Sequence, residues 1–183
     1  MGVFAQEAYS GILNFTRVYY ELSDQLSTEF RSRRQMKTKK SFSILLADDD
    51  DDDREFLRET ISEIAPKSTI HAVGDGASLM DHMNSFETTL PDIIFLDLNM
   101  PFKDGKECLS ELKGSGKFQH IPVIIYSTSS YIKDIENAYN NGANLYVIKP
   151  STCNELKKII RKVFATDWSE SVWAPRREKF IMR

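Results

Sequence analysis

Cysteine is scarce: the 183 residues hold two, Cys108 and Cys153, and neither lies in a CxxC pair or beside histidines at metal-binding spacing. A disulfide framework and a thiolate zinc site are therefore excluded, and reduced thiols in a cytoplasmic protein are the expectation. Long apolar runs are absent as well. No stretch approaches the ~20 residues needed to cross a bilayer, and the N-terminus lacks the basic start and apolar centre of a secretory signal. Nor is there an excess of positive charge. Lys and Arg number 24 against 27 Asp and Glu, a net −3, so the basic footprint of direct nucleic-acid binding is missing. What is present, 41% hydrophobic and 28% charged residues, suits an ordinary globular protein whose length allows one domain with extensions rather than two domains.

From Ser43 onward short apolar runs alternate with amphipathic stretches, the signature of βαβ units feeding a parallel sheet. The strand candidates are Ser43–Ala47, Thr69–Val73, Asp92–Leu96, Val123–Ser127 and Asn144–Ile148. All but Thr69–Val73 are nearly continuous hydrophobe, as strands covered on both faces must be, so Thr69–Val73 is expected at a sheet edge. Between and after them, spacings of three and four put Leu57, Ile61 and Ile64, then Leu79, Met80 and Met83, then Cys108, Leu109 and Leu112, then Ile132, Ile135 and Tyr139, then Leu156, Ile159, Ile160 and Val163 on single helical faces. These apolar sets are core-forming rather than cofactor-binding. Gly74, Gly76, Pro91, Gly114, Gly116, Pro122 and Gly142 all fall between the periodic segments.

The expected organisation is an N-terminal extension over residues 1–40, a domain over 41–166 and a C-terminal tail over 167–183. Within the extension Ala5, Ala8, Ile12, Phe15, Tyr19, Leu22 and Leu26 follow a heptad-like spacing, with basic residues from Arg31 to Lys40. About three heptads are short for a coiled coil, so a poorly ordered leader is favoured over a dimerising helix. The tail carries Trp168, Trp173 and Phe180. Packing back on the domain and presenting a binding surface are both open to it.

The chemistry concentrates at strand ends. The first strand runs directly into six aspartates, Asp48–Asp53, and the third ends at Asp97. Both acid groups then emerge at the carboxyl edge of a parallel sheet, where open α/β folds bind ligands. If the strand order is 2-1-3-4-5, strands one and three are neighbours and Asp48, Asp49 and Asp97 would converge. Like charges that close need a proton or a cation, and Mg²⁺, which takes oxygen ligands including one or two carboxylates, suits this donor set. The remaining aspartates are assigned to solvation or, for Asp52 or Asp53, to capping the next helix. The fourth strand delivers the Ser127 hydroxyl and the fifth delivers Lys149, a donor and a compact ammonium suited to phosphate oxygens.

The blocks ILLADDD, FLDLNMPFKDG, VIIYSTS and NLYVIKP, in this order and spacing, resemble those of response-regulator receiver domains over about residues 42 to 165. The resemblance implies a flavodoxin-like α/β fold, a doubly wound five-stranded parallel sheet of order 2-1-3-4-5 with five helices. It implies that Asp48 and Asp49 form the acidic metal pair, that Asp97 is the phosphoacceptor, and that Asn99 lends its backbone carbonyl to Mg²⁺. Ser127 and Tyr146 match the switch positions and Lys149 the phosphate-binding lysine, with a cis bond before Pro150. Thr128 stands where the family often has alanine, and together with Asn99 it is a candidate for tuning hydrolysis of the phosphate.

The function so implied is a phosphorylation switch rather than an enzyme in the usual sense, with a sensor histidine kinase or a histidine phosphotransfer protein as donor. Output would be protein binding or phosphorelay, since no DNA-binding domain follows. The face of the fourth and fifth helices is the candidate homodimer surface, and neither nucleic acid nor membrane is a partner. A receiver-like module that only binds proteins is the alternative. A metal-dependent phosphatase would need Asp-x-Asp where the chain has Asp97, Leu98 and Asn99. A P-loop ending at Lys117 would need glycine at Glu111, and a calcium loop would need glycine at Asp53.

Overall fold

The computed structural model describes residues 41–85, 89–168 and 177–182. The expectations for residues 1–40 and for Trp173 lie outside these.

The apolar runs become strands β1 (Ser43–Ala47), β2 (Thr69–Val73), β3 (Ile93–Leu96), β4 (Val123–Ser127) and β5 (Leu145–Ile148). The amphipathic stretches become helices α1 (Asp51–Ile64), α2 (Gly76–Asn84), α3 (Gly105–Gly114), α4 (Ile132–Asn140) and α5 (Cys153–Ala165). All strands are parallel, and β2 lies at one edge of the sheet, as its weaker pattern predicts.

Alternation along each strand separates two cores. Ile44 and Leu46 face one side with Leu57 and Ile61 of α1 and Leu156, Ile160 and Val163 of α5. Leu45 and Ala47 face the other with Leu79 of α2, Leu109 of α3 and Ile135 of α4. The period of two in a strand and about 3.6 in a helix dictates this three-layer arrangement. Each interior layer removes apolar surface from water on both faces of the sheet, the principal stabilising term. The winding reverses direction between β1 and β3, and a crevice therefore opens at their carboxyl ends.

Polar side chains define where helices begin. Asp50 caps α1, its carboxylate accepting from the backbone N–H of Asp52 and Asp53. This corrects the expectation that Asp52 or Asp53 would cap: the helix starts one residue past the cap, so both already lie inside its first turn. There their charges still favour the helix dipole. Asp104 and Glu107 form a reciprocal capping box at α3, and the Thr152 hydroxyl caps α5. Inside, the Lys113 ammonium donates to the Ile121 carbonyl at 2.7 Å and to Asn144 Oδ1 at 2.8 Å, tying α3 to the starts of β4 and β5.

The sheet has six strands rather than the expected five. After a short 3₁₀ turn, Arg177–Lys179, the tail adds β6 (Ile181–Met182), parallel to β5. The order is thus β2-β1-β3-β4-β5-β6. Phe180 is the anchor: it is buried, its carbonyl accepts from Tyr146 N–H at 2.7 Å, and its ring meets Tyr139 edge-on at 5.1 Å between centroids. One aromatic therefore docks a strand too short to hold by itself. Phe180 lies with the α4-side core and Met182 against the α5-side core, so the tail inserts between these two helices and covers the β5 edge. Among the described residues no helix is long and apolar enough to cross a membrane.

Replacing Phe180 by Ala is expected to cost about 3 kcal/mol in urea unfolding and to make the tail the first site of limited proteolysis. Unchanged stability and protection would show that β6 is held by something other than this ring.

Candidate functional site

At the carboxyl ends of β1 and β3, Asp48, Asp49 and Asp97 each offer one carboxylate oxygen, and these oxygens lie within 4.8 Å of one another. They sit in different environments. Asp48 and Asp97 are buried and Asp49 is exposed. Pairing of β1 with β3 brings them together, with Ala47 in register with Leu96, so the residue following each strand stands at the same level.

Lys149, directly after β5, reaches across β4 with its ammonium 5.5 Å above the Tyr126 ring. It stands 2.7 Å from Asp48 Oδ2, 2.7 Å from Asp53 Oδ2 and 3.5 Å from Asp97 Oδ2. Burial would lower its pKa, but the close carboxylates of Asp48 and Asp53 and the charge of Asp97 outweigh that and hold it above the usual lysine range. Lys149 is a fixed cation here. The peptide bonds of the described residues are all trans, so Lys149–Pro150 is trans rather than cis as expected. Trans is the lower-energy form even before proline, by about 0.5–1 kcal/mol. With it Lys149 N–H already donates to the Ser127 carbonyl at 2.9 Å and the ammonium already reaches the acids.

Asp48 carries the strain of the cluster. Burial raises its carboxyl above 3.8 despite the opposing close contact and charge of Lys149. Oδ1 accepts from Asp50 N–H at 3.1 Å. Oδ2 has only the Lys149 ion pair, whose direction does not make a good hydrogen bond, and is otherwise a buried acceptor without a partner. A buried oxygen short of partners, beside two further carboxylate oxygens, fits a hard divalent cation.

Asp97 Oδ1 accepts from the Leu98 N–H at 2.6 Å, which leaves Oδ2 toward Lys149. Gly105, the first residue of α3, donates its N–H to the Leu98 carbonyl at 3.0 Å, and a Cβ there would overlap the Asp97 carbonyl oxygen. No other residue allows α3 to start so close to the acid. Asn99, two residues past Asp97, and Thr128 are both exposed at the same edge. Ser127 is buried, and its hydroxyl oxygen accepts from Ser129 N–H at 3.4 Å. Tyr146 is buried with its hydroxyl donating to the Ser129 carbonyl at 2.9 Å, while its ring faces Phe180 at 6.2 Å. Ser129 Oγ in turn bonds Asp134, which Lys106 also holds at 2.8 Å. One polar chain therefore links the strand ends to α4 and to the tail.

Gly105 and Ser129 were not among the residues the sequence singled out, and Asp53 and Phe180 were named there only as a possible helix cap and a tail aromatic. For Asp53 the missing signal is the position of the helix cap: once Asp50 is the cap, Asp53 is the third residue of α1 and points back over the strand ends.

A doubly wound parallel α/β domain with carboxylates and one lysine gathered at its switch point is the class of protein that fold and site define. The chain belongs to the response regulator receiver domain family, which matches residues 44–161. Phosphorylation and Mg²⁺ are typical of that family. The chain is 30% identical over 135 residues to the probable methanogenesis regulatory protein FilR2 of Methanothrix harundinacea, covering 71% of this chain and 87% of that protein. It is 29% identical over 136 residues to response regulator Rcp1 of Synechocystis, covering 72% and 92%. The Mn²⁺-bound form of Rcp1 superposes with a TM-score of 0.63 at 28% identity, covering 74% of this chain and 99% of that one. The phosphorylated cyanobacterial phytochrome response regulator RcpA does so at 0.63 and 30%, covering 67% and 91%.

Protons compete with a cation for Asp48. Because its pKa is raised, Mg²⁺ affinity measured by isothermal titration is expected to weaken on acidification in a range starting above pH 3.8. The metal-free fold gains stability from this group over the same descent, since folded Asp48 takes up its proton before unfolded Asp48 does. Affinity that stays level until the ordinary aspartate range would contradict the burial argument.

Proposed function

We propose that this chain is a cytoplasmic phosphorylation switch in which Asp97 accepts a phosphoryl group from a phosphohistidine on a sensor histidine kinase or histidine phosphotransfer protein. The observation that carries the reading is the convergence of Asp48, Asp49, Asp97 and Lys149 on one crevice, with Asp97 Oδ2 turned to the ammonium.

In the transfer Asp97 Oδ2 attacks phosphorus, the phosphorus–nitrogen bond to the imidazole breaks, and the histidine leaves while an acyl phosphate forms. Asp48, Asp49 and Asp97, with the Asn99 backbone carbonyl, would hold Mg²⁺. Bound there, the ion would offset negative charge on the carboxylates and phosphoryl oxygens. Lys149 binds a phosphoryl oxygen as a point charge. The Ser127 hydroxyl turns toward another, and Tyr146, bonded to Ser129 in the same loop, shifts with it, repacking α4. Asn99 and Thr128, exposed at this edge, set the access of water and thereby the lifetime of the phosphate. The donor meets an uneven rim. Asp49, Asp50, Asp51 and Asp52 are exposed on the β1 side. Phe102, Tyr131 and Ile132 are exposed on the β3 and β4 side, where Lys106–Asp134 draws α3 and α4 together. Output is protein binding or relay. A homodimer through the α4–α5 face would form against β6, which already covers the β5 edge.

Incubation with Mg²⁺ and acetyl phosphate is expected to add the mass of one phosphoryl group to the intact protein, and none to Asp97→Asn. No gain, under conditions that modify another receiver, would leave a protein-binding module without phosphorylation.

A further inference from the structure

The acid trio and Lys149 do not exhaust the site. Asp53 Oδ2 is 2.7 Å from Lys149 Nζ, as close as Asp48 and nearer than Asp97. It belongs neither to the group of oxygens gathered for a cation nor to the helix cap, whose carboxylate is that of Asp50. Its backbone is fixed, because its N–H donates to Asp50 Oδ1 at 3.1 Å. About a third of its side chain is exposed, against 8% for Lys149.

Two carboxylates thus hold one ammonium, and their duties differ. A cation bound by Asp48 draws that carboxylate's charge toward itself and weakens its claim on the lysine. Asp53 has no such second duty. An ammonium has three donors, so Lys149 can keep Asp53 on one and present another to a phosphoryl oxygen. A four-carbon stem with no such tether would sample many rotamers, and fixing it in advance lowers the cost of ordering it during the reaction.

We propose that Asp53 is a positioning residue that holds the Lys149 ammonium over Asp97 for phosphoryl transfer. The proposal rests on the phosphoacceptor reading above. It also makes the N-terminus of α1 part of the reaction: movement of that turn moves Lys149.

The test compares wild type, Asp53→Asn, Asp53→Glu, Lys149→Met and the double variant Asp53→Asn/Lys149→Met. Phosphorylation by acetyl phosphate at saturating Mg²⁺ is expected to be about tenfold slower in Asp53→Asn, the size of one partly exposed charge-assisted bond. Mg²⁺ affinity by calorimetry is expected to stay within about twofold, because Asp53 is not a ligand. Asp53→Glu recovers part of the rate, and Asp53→Asn costs nothing further once Lys149 is Met. In chelator, urea unfolding of the same four charge combinations is expected to show coupling between Asp53 and Lys149. A wild-type rate in Asp53→Asn, equal losses with and without Lys149, or no coupling in chelator would each overturn the proposal. A wild-type protein that takes up no phosphoryl group would instead overturn the phosphoacceptor reading, and this proposal with it.

Discussion

A single ammonium set among carboxylates is the interaction on which the site depends. Asp48 and Asp97 are buried at neighbouring strand ends, where their charges repel and neither is well hydrated. Lys149 makes that arrangement tolerable in the metal-free protein by lying within 3.5 Å of both and of Asp53 besides. The balance is incomplete, since Asp48 Oδ2 has no well-directed hydrogen bond and its carboxyl keeps a raised pKa. That deficit suits the crevice to a hard cation.

The framework serves this cluster through several small devices. The sheet order puts β1 against β3, so consecutive-looking acids from distant parts of the chain share one level. Asp50 starts α1 immediately after β1, which swings Asp53 back over the strand ends instead of out to water. Gly105 lets α3 begin against the Asp97 backbone, where any side chain would collide. The Tyr126 ring of β4 lies 5.5 Å beneath the Lys149 ammonium. Each is local, and together they bring residues 48, 53, 97 and 149 to one point.

The same logic extends outward. Tyr146 bonds Ser129 by its hydroxyl and the Phe180 carbonyl by its backbone N–H, so the residue matched to the switch also carries the tail strand. Phe180 packs between Tyr139 of α4 and Tyr146 of β5. Repacking at α4 therefore cannot occur without consequence for β6.

Strands and helices were legible because period-two and period-3.6 hydrophobicity are written residue by residue, the sheet order only through the resemblance of the motif blocks to receiver domains, and the strand-end acids because parallel strands deliver their last residues to one edge. Asp48, Asp49, Asp97, Ser127 and Lys149 could be named on that ground. Asp53 could not: within a run of six aspartates the chain gives no sign of which one caps a helix and which meets a lysine 96 residues away. Nor could β6, two residues long, whose pattern is too short to read and whose place depends on the pocket that Tyr139 and Tyr146 make for Phe180. The sequence by itself determined what is encoded locally and repeated along the chain. The tertiary structure alone decided the contacts whose partners lie far apart in sequence and whose energy arises only when both are in place.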